Sequence, residues 1–253
     1  RSIVLRVMVP LIIPLASLAV LANHADLPGL SDILNLAAQV TLPNWLGAIG
    51  ATALSFWALG RYDAVAHRHL RTGLEDPIAR RAGMTSIAFS QAVGFGILSG
   101  TFARWRLLPQ LSPLQAAQLT GFVGITFLAM LAVICGFSLL LGGATLTLRG
   151  LGLGILIAAG AAGALCFLCP DWHIRGLRLR LPSLPALLAL MFWTLMDMTF
   201  AGLALWLLLP DGGGIALAAL LPAFFLALGL AILSSSPGGA GPLELAMLAL
   251  LPG

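Results

Sequence analysis

The 253-residue chain is 60% hydrophobic and only 9% charged, with a mean hydropathy of +1.03. Soluble domains run at about 45–50% apolar and about 25% charged residues, so too few polar side chains remain to cover a water-facing surface, and lipid must be the solvent for most of it. All thirteen basic residues are Arg and the net charge is +4; they stand in short clusters between apolar runs, which marks loops on the cytoplasmic side of a membrane rather than a nucleic-acid surface.

A membrane span needs about 20 apolar residues. Segment 3–22 meets this; it is too long for a signal-peptide core and lacks a small-residue cleavage site, so it reads as a first span. After the polar stretch 23–32 an apolar segment covers about 33–60, followed by a basic loop, 61–83, that carries Arg61, Arg68, Arg71, Arg80 and Arg81. His67 and His69 lie in this loop and are expected to be solvated. Segment 84–103 is apolar but interrupted by Gly94, Gly96, Ser99 and Gly100, with Arg104 and Arg106 after it. Two spans follow, 113–141 and 151–169, joined by a short loop with Arg149. A second basic loop, 170–184, holds Arg175, Arg178 and Arg180. Spans 185–209 and 215–234 pair around Pro210 and Asp211. The Gly/Pro-rich stretch 234–244 then leads into a last apolar run. The fold class expected is all-α: a polytopic transmembrane bundle of about 6–8 segments. The chain begins without Met and stops inside an apolar run, so 1–253 is expected to be one membrane domain cut from a longer protein.

Basic loops face the cytoplasm, and this rule places the N-terminus, 61–83 and 170–184 on one side. Three apolar segments separate the last two, so one of them must enter and return. The glycine-broken segment 84–108 is the candidate, and 234–244 has a similar break. Irregular backbone at membrane depth survives only when buried in protein or lining a watery cavity, and paired discontinuous helices are a transporter device.

Asp63, Arg104, Asp197 and Glu244 stand in or beside apolar runs. Charge inside a span costs about 2.5–3.5 kcal/mol on insertion scales, so such residues face a bundle interior and pair. Asp197 lies mid-span between Thr194 and Thr199, where a threonine or the backbone can hydrogen-bond it. Glu244 follows Pro237, Gly238, Gly239 and Gly241 in the first turn of a helix, where the dipole favours an acid and free amides can bind phosphate. Arg104 and Arg106 suit a phosphate, which guanidinium grips with two hydrogen bonds. Cys166 and Cys169 form a C-x-x-C near His173 without a fourth ligand, so they and Cys135 read as buried or interfacial thiols. No metal, cofactor or catalytic residue is expected.

Three strings carry a family resemblance: Leu59-Gly60-Arg61-Tyr62-Asp63; Gln91 through Gly94, Gly96, Ser99, Gly100, Arg104 and Arg106; and Pro237-Gly238-Gly239-Ala240-Gly241 with Glu244. Together they resemble the membrane domain of the lysylphosphatidylglycerol synthase/flippase family, the multiple peptide resistance factors, over roughly 1–252. The family pattern is Tyr-Asp ending an early span, then N-x-x-G-x-G-x-x-S-G-G-x-x-R-x-R, then P-G-G-x-G-x-x-E. This chain has Gln91 for the Asn and Thr101 for the second Gly of Ser-Gly-Gly, departures that bear on the headgroup accommodated. The resemblance implies a bacterial plasma-membrane protein that moves aminoacylated phosphatidylglycerol from the inner to the outer leaflet and so lowers the binding of cationic antimicrobial peptides. It implies that Asp63, Arg104, Asp197 and Glu244 line the lipid path, with phospholipid as partner and self-association left open. In the family a separate cytosolic domain, absent here, is the phosphatidylglycerol lysyltransferase. The rival expectations are a membrane scaffold for such an enzyme and a small-solute transporter.

Overall fold

A computed structural model describes residues 29–93, 96–143, 145–168, 171–174, 177–210, 214–234 and 239–251. The segment 3–22, expected as a first span, lies outside them, as do Gly94, Pro237, Gly238, Cys169 and Arg175. Nine α-helices occur among the described residues: α1 Leu30–Gln39, α2 Leu42–Leu70, α3 Asp76–Val93, α4 Ile97–Leu107, α5 Pro113–Gly142, α6 Leu146–Leu168, α7 Leu184–Leu207, α8 Leu217–Ser234 and α9 Pro242–Leu250. A two-stranded antiparallel hairpin, β1 Asp171–Ile174 with β2 Leu177–Arg180, interrupts the loop before α7. The protein is a helical bundle.

Helices α5, α6, α7 and α8 are each long and apolar enough to cross a membrane. Helix α6 makes the point most sharply. Only 6% of its most apolar stretch is buried, so it exposes Leu146, Ile157, Phe167 and Leu168 outward. A helix apolar all round and uncovered by protein needs lipid around it. It leans on α5 through glycines. A Cβ at Gly152 would lie 2.6 Å from the Gly136 carbonyl oxygen, so only glycine lets these backbones meet, as small residues do between membrane helices.

Local chemistry sets the helix ends. Ser112 begins α5 as a capping box: its hydroxyl accepts from the Gln115 amide at 3.2 Å, and the Gln115 side chain accepts from the Ser112 amide at 2.8 Å. Proline stands in the first turn of α2, α5, α7 and α9, where its missing N–H costs nothing. Helix α2 closes on Arg71 in the left-handed conformation (φ 52°, ψ 48°).

Three expectations need correction. The apolar segment 33–60 is not one element: it divides at Val40 and Thr41 into α1 and α2, because Pro43 has no N–H for the Gln39 carbonyl and so cannot continue α1, yet fits the first turn of a new helix. The basic loop 61–83 is mostly helix, with only 71–75 between α2 and α3. Arg149 belongs to α6 rather than a loop, and its Nε donates to the Gly143 carbonyl at 2.9 Å.

The break expected within 84–108 falls between α3 and α4, where Gly96 takes φ 48°. Gly83, ten residues before Val93, lies against Asp63, and Arg104, seven residues after Ile97, also reaches Asp63. The chain therefore goes out and comes back. At about 1.5 Å per residue the excursion beyond Gly83 is about 15 Å, half a hydrocarbon core. The Ser90 hydroxyl closes the bend by donating to the Gly96 carbonyl at 2.8 Å. A second reversal joins α8 to α9, where Gly239 (φ 75°) packs against Ala231.

Candidate functional site: a buried Asp–Arg pair

Helix α2 carries Asp63 into the interior beside Tyr62, Val65 and Ala66, which face a core shared with Leu108 and Leu119. Asp63 is fully buried and Arg104 is 2% exposed. The Arg104 Nη2 donates to Asp63 Oδ1 at 2.5 Å, and its Nη1 donates to Thr120 Oγ1 of α5 at 3.3 Å. Helices α2, α4 and α5 are thus joined through one guanidinium. Two glycines make room. A Cβ on Gly83 of α3 would stand 2.6 Å from Asp63 Oδ2, and one on Gly100 of α4 would press Thr120 at 3.2 Å and Arg104 Nη1 at 3.6 Å.

The cluster extends toward the α2–α3 loop. His67 Nε2 faces Asp63 Oδ2 at 3.4 Å, and His67 Nδ1 is 2.7 Å from Thr72 Oγ1. His67 is 2% exposed, which overturns the expectation of a solvated histidine. His69 is half-buried and stacks on Phe122 at 4.8 Å. Their helix continues past the apolar run, so both rings are carried inside the bundle. The Tyr62 hydroxyl pairs with Thr126 Oγ1 at 2.6 Å. The network is incomplete: Asp63 Oδ2, His67 Nε2 and Arg104 Nε are buried without a hydrogen bond. Such atoms are uncommon in native interiors and call for an explanation.

Asp197 is a second buried acid, 3% exposed. Its Oδ1 accepts from Ser55 of α2 at 2.5 Å. The partner is therefore on another helix, whereas the neighbouring Thr194 donates to its own backbone at the Leu190 carbonyl, 2.8 Å away. Between α2 and α7, toward the loop end, an open cavity of about 330 Å³ is lined by Val65, Arg68, His69, Ser183 and Ala189 among others.

The other expected residues stand apart from the pair. Glu244 is exposed and accepts from the Gly241 amide at 2.7 Å, capping its own helix. Gly241 takes φ 89°. Arg106 and Gln91 are exposed, with the Arg106 guanidinium 5.9 Å from the Trp105 ring. Ser99 is buried and donates to Ser90 Oγ at 3.1 Å and to the Gly96 carbonyl at 3.2 Å. Cys135 donates to the Phe225 carbonyl at 3.4 Å, and Cys166 is partly exposed. Among the described residues no three His, Cys, Asp or Glu side chains converge as a metal ion requires.

Sequence reasoning missed His67, Thr120, Thr126, Ser55 and the packing role of Gly83. Only His67 had a readable signal, its i, i+4 spacing from Asp63, which places the two on one helix face. The geometry is that of an ion pair buried inside the helical bundle, with donor capacity to spare at Arg104 Nε. No protein-family model and no curated protein matches the chain.

Proposed function

We propose that this chain moves a charged phospholipid headgroup, aminoacylated phosphatidylglycerol such as lysylphosphatidylglycerol, from the inner to the outer leaflet of a bacterial plasma membrane, and that this lowers the binding of cationic antimicrobial peptides. The observation that carries the reading is the buried Asp63–Arg104 pair, in which Arg104 Nε has no hydrogen bond and Asp63 Oδ2 has only the His67 Nε2 contact at 3.4 Å. A headgroup that bears both a phosphate and an ammonium matches the two ends of this pair. The phosphate takes over the Arg104 guanidinium, which is shaped for two-point contact with such an anion. The ammonium takes over Asp63. Each charge exchanges one partner for another and none is left bare in apolar surroundings, where an isolated ion is prohibitively costly. The acyl tails stay in lipid throughout. The headgroup enters from the cytoplasmic leaflet, between the broken α3–α4 and α8–α9 pairs, and Asp197 offers a further acid along α7.

A second reading, a membrane scaffold for a lipid-modifying enzyme, is favoured by one observation. Asp63 and Arg104 already neutralise each other's charge and are closed from outside, as a purely structural pair is. A leaflet assay separates the two. The full-length protein is reconstituted in vesicles with lysylphosphatidylglycerol, and headgroup accessibility is followed for wild type, Arg104→Ala and Glu244→Gln. Translocation above empty vesicles, lost in Arg104→Ala at equal folding, supports the flippase. Wild type no faster than empty vesicles leaves the scaffold.

A further inference from the structure

Arg61 lies two residues before Asp63 yet takes no part in the ion pair. Among the described residues it has no carboxylate at ion-pairing distance and donates no hydrogen bond. Its Nε is buried and unpartnered. The side chain runs back along α2 toward Trp57, the direction in which helical side chains lean, and so points away from the 71–75 loop. Its guanidinium carbon lies 5.1 Å from the Trp57 ring centre and 5.9 Å from that of Trp193 on α7. The two indoles meet edge to face at 5.2 Å, and Phe192 adds its edge to Trp193 at 4.8 Å. Trp57 is 40% and Phe192 52% exposed, so this group opens sideways from the α2–α7 seam. The acid one helical turn beyond Trp193, Asp197, is already engaged by Ser55.

A cation inside an apolar helix ordinarily finds an anion. Two indole faces offset part of the lost hydration and hold the guanidinium in one orientation. They accept no hydrogen bond in its plane, so its two terminal nitrogens keep their donors. Those donors form the fork that fits phosphate oxygens, and tryptophans are placed where headgroups and apolar chains meet.

We propose that Arg61, Trp57 and Trp193 form a binding site for the phosphodiester of an anionic phospholipid that enters laterally from the bilayer at the α2–α7 seam. The site is separate from the Asp63–Arg104 pair, and its occupancy does not require translocation. It stands or falls independently of the flippase reading.

The test is tryptophan quenching in the reconstituted full chain. Vesicles contain phosphatidylglycerol with brominated tails in competition with phosphatidylcholine, and then the converse. Wild type should favour phosphatidylglycerol by roughly tenfold, the effect of one hydrogen bond to a charged group. Arg61→Gln should bring the ratio near one, and Arg61→Lys should retain part of it. Arg81→Gln removes an exposed charge and should change nothing. If Arg61→Gln does not reconstitute, Trp193→Leu carries the test in a chain whose Trp45, Trp105, Trp172 and Trp206 are replaced by Phe, with quenching read at Trp57 and a reduced ratio expected. Equal quenching by both lipids in wild type overturns the site. So does an Arg61→Gln or Trp193→Leu ratio equal to wild type. Relief of phosphatidylglycerol quenching by added inorganic phosphate would assign the site to free phosphate and overturn the lipid assignment.

Discussion

The two helix breaks begin from similar sequence, a glycine-rich bend followed by a charged residue, and end differently. After the first, Arg104 stands eight residues past Gly96 and is buried on Asp63. After the second, Glu244 stands three residues past Gly241, is exposed, and bonds the amide at its own helix start. Charge and distance from the bend together decide the outcome: a carboxylate can accept from the free amides at a helix start, whereas a guanidinium has only donors and must find an acceptor elsewhere. In the first turn the free amides of the helix are the nearest donors and an acid folds back onto them. Two turns in, those amides are spent, and a long side chain on the inner face must find its partner in the bundle.

Removing one end of the buried pair is the strongest way to break this comparison. Asp63→Ala leaves the Arg104 charge buried and uncompensated, and thermal unfolding in detergent should show a loss of about 3–5 kcal/mol. The neutral pair Asp63→Asn with Arg104→Gln should recover most of it. Packing comes next: Gly83→Ala drives a methyl into the Asp63 carboxylate and should cost about 1–3 kcal/mol. Ser55→Ala removes the hydrogen bond that holds Asp197, with an expected loss of about 1–3 kcal/mol. Glu244→Ala is the smallest, because a cap is worth about 1 kcal/mol. A loss from Glu244→Ala as large as that from Asp63→Ala would erase the distinction between the breaks.

The bundle was legible in the sequence because lipid demands long apolar helices, and segments 113–141, 151–169, 185–209 and 215–234 correspond to α5, α6, α7 and α8. The first bend was legible too, since glycines at 94 and 96 leave no other element to form there. Boundaries at 61–83 were not. Arginine and histidine there read as loop, but α2 continues through them and carries His67 inside beside Ala64 and Ala66, small residues that let neighbouring helices approach, while Arg68 stays exposed. The pairing of Ser55 with Asp197 was beyond reach, because their 142-residue separation is bridged only by the packing of α2 on α7. Arg61 read as a topology signal, and nothing in the string shows that Trp193, far along the chain, completes its surroundings.

The central claim, that the Asp63–Arg104 pair hands its two charges to the phosphate and an ammonium of one headgroup, is tested most directly by the leaflet assay on the neutral pair. Asp63→Asn with Arg104→Gln keeps a polar side chain at both positions while removing both charges. The account predicts a folded protein that no longer moves lysylphosphatidylglycerol above the rate of empty vesicles. Translocation at the wild-type rate by this variant would contradict it and leave the pair a structural contact alone.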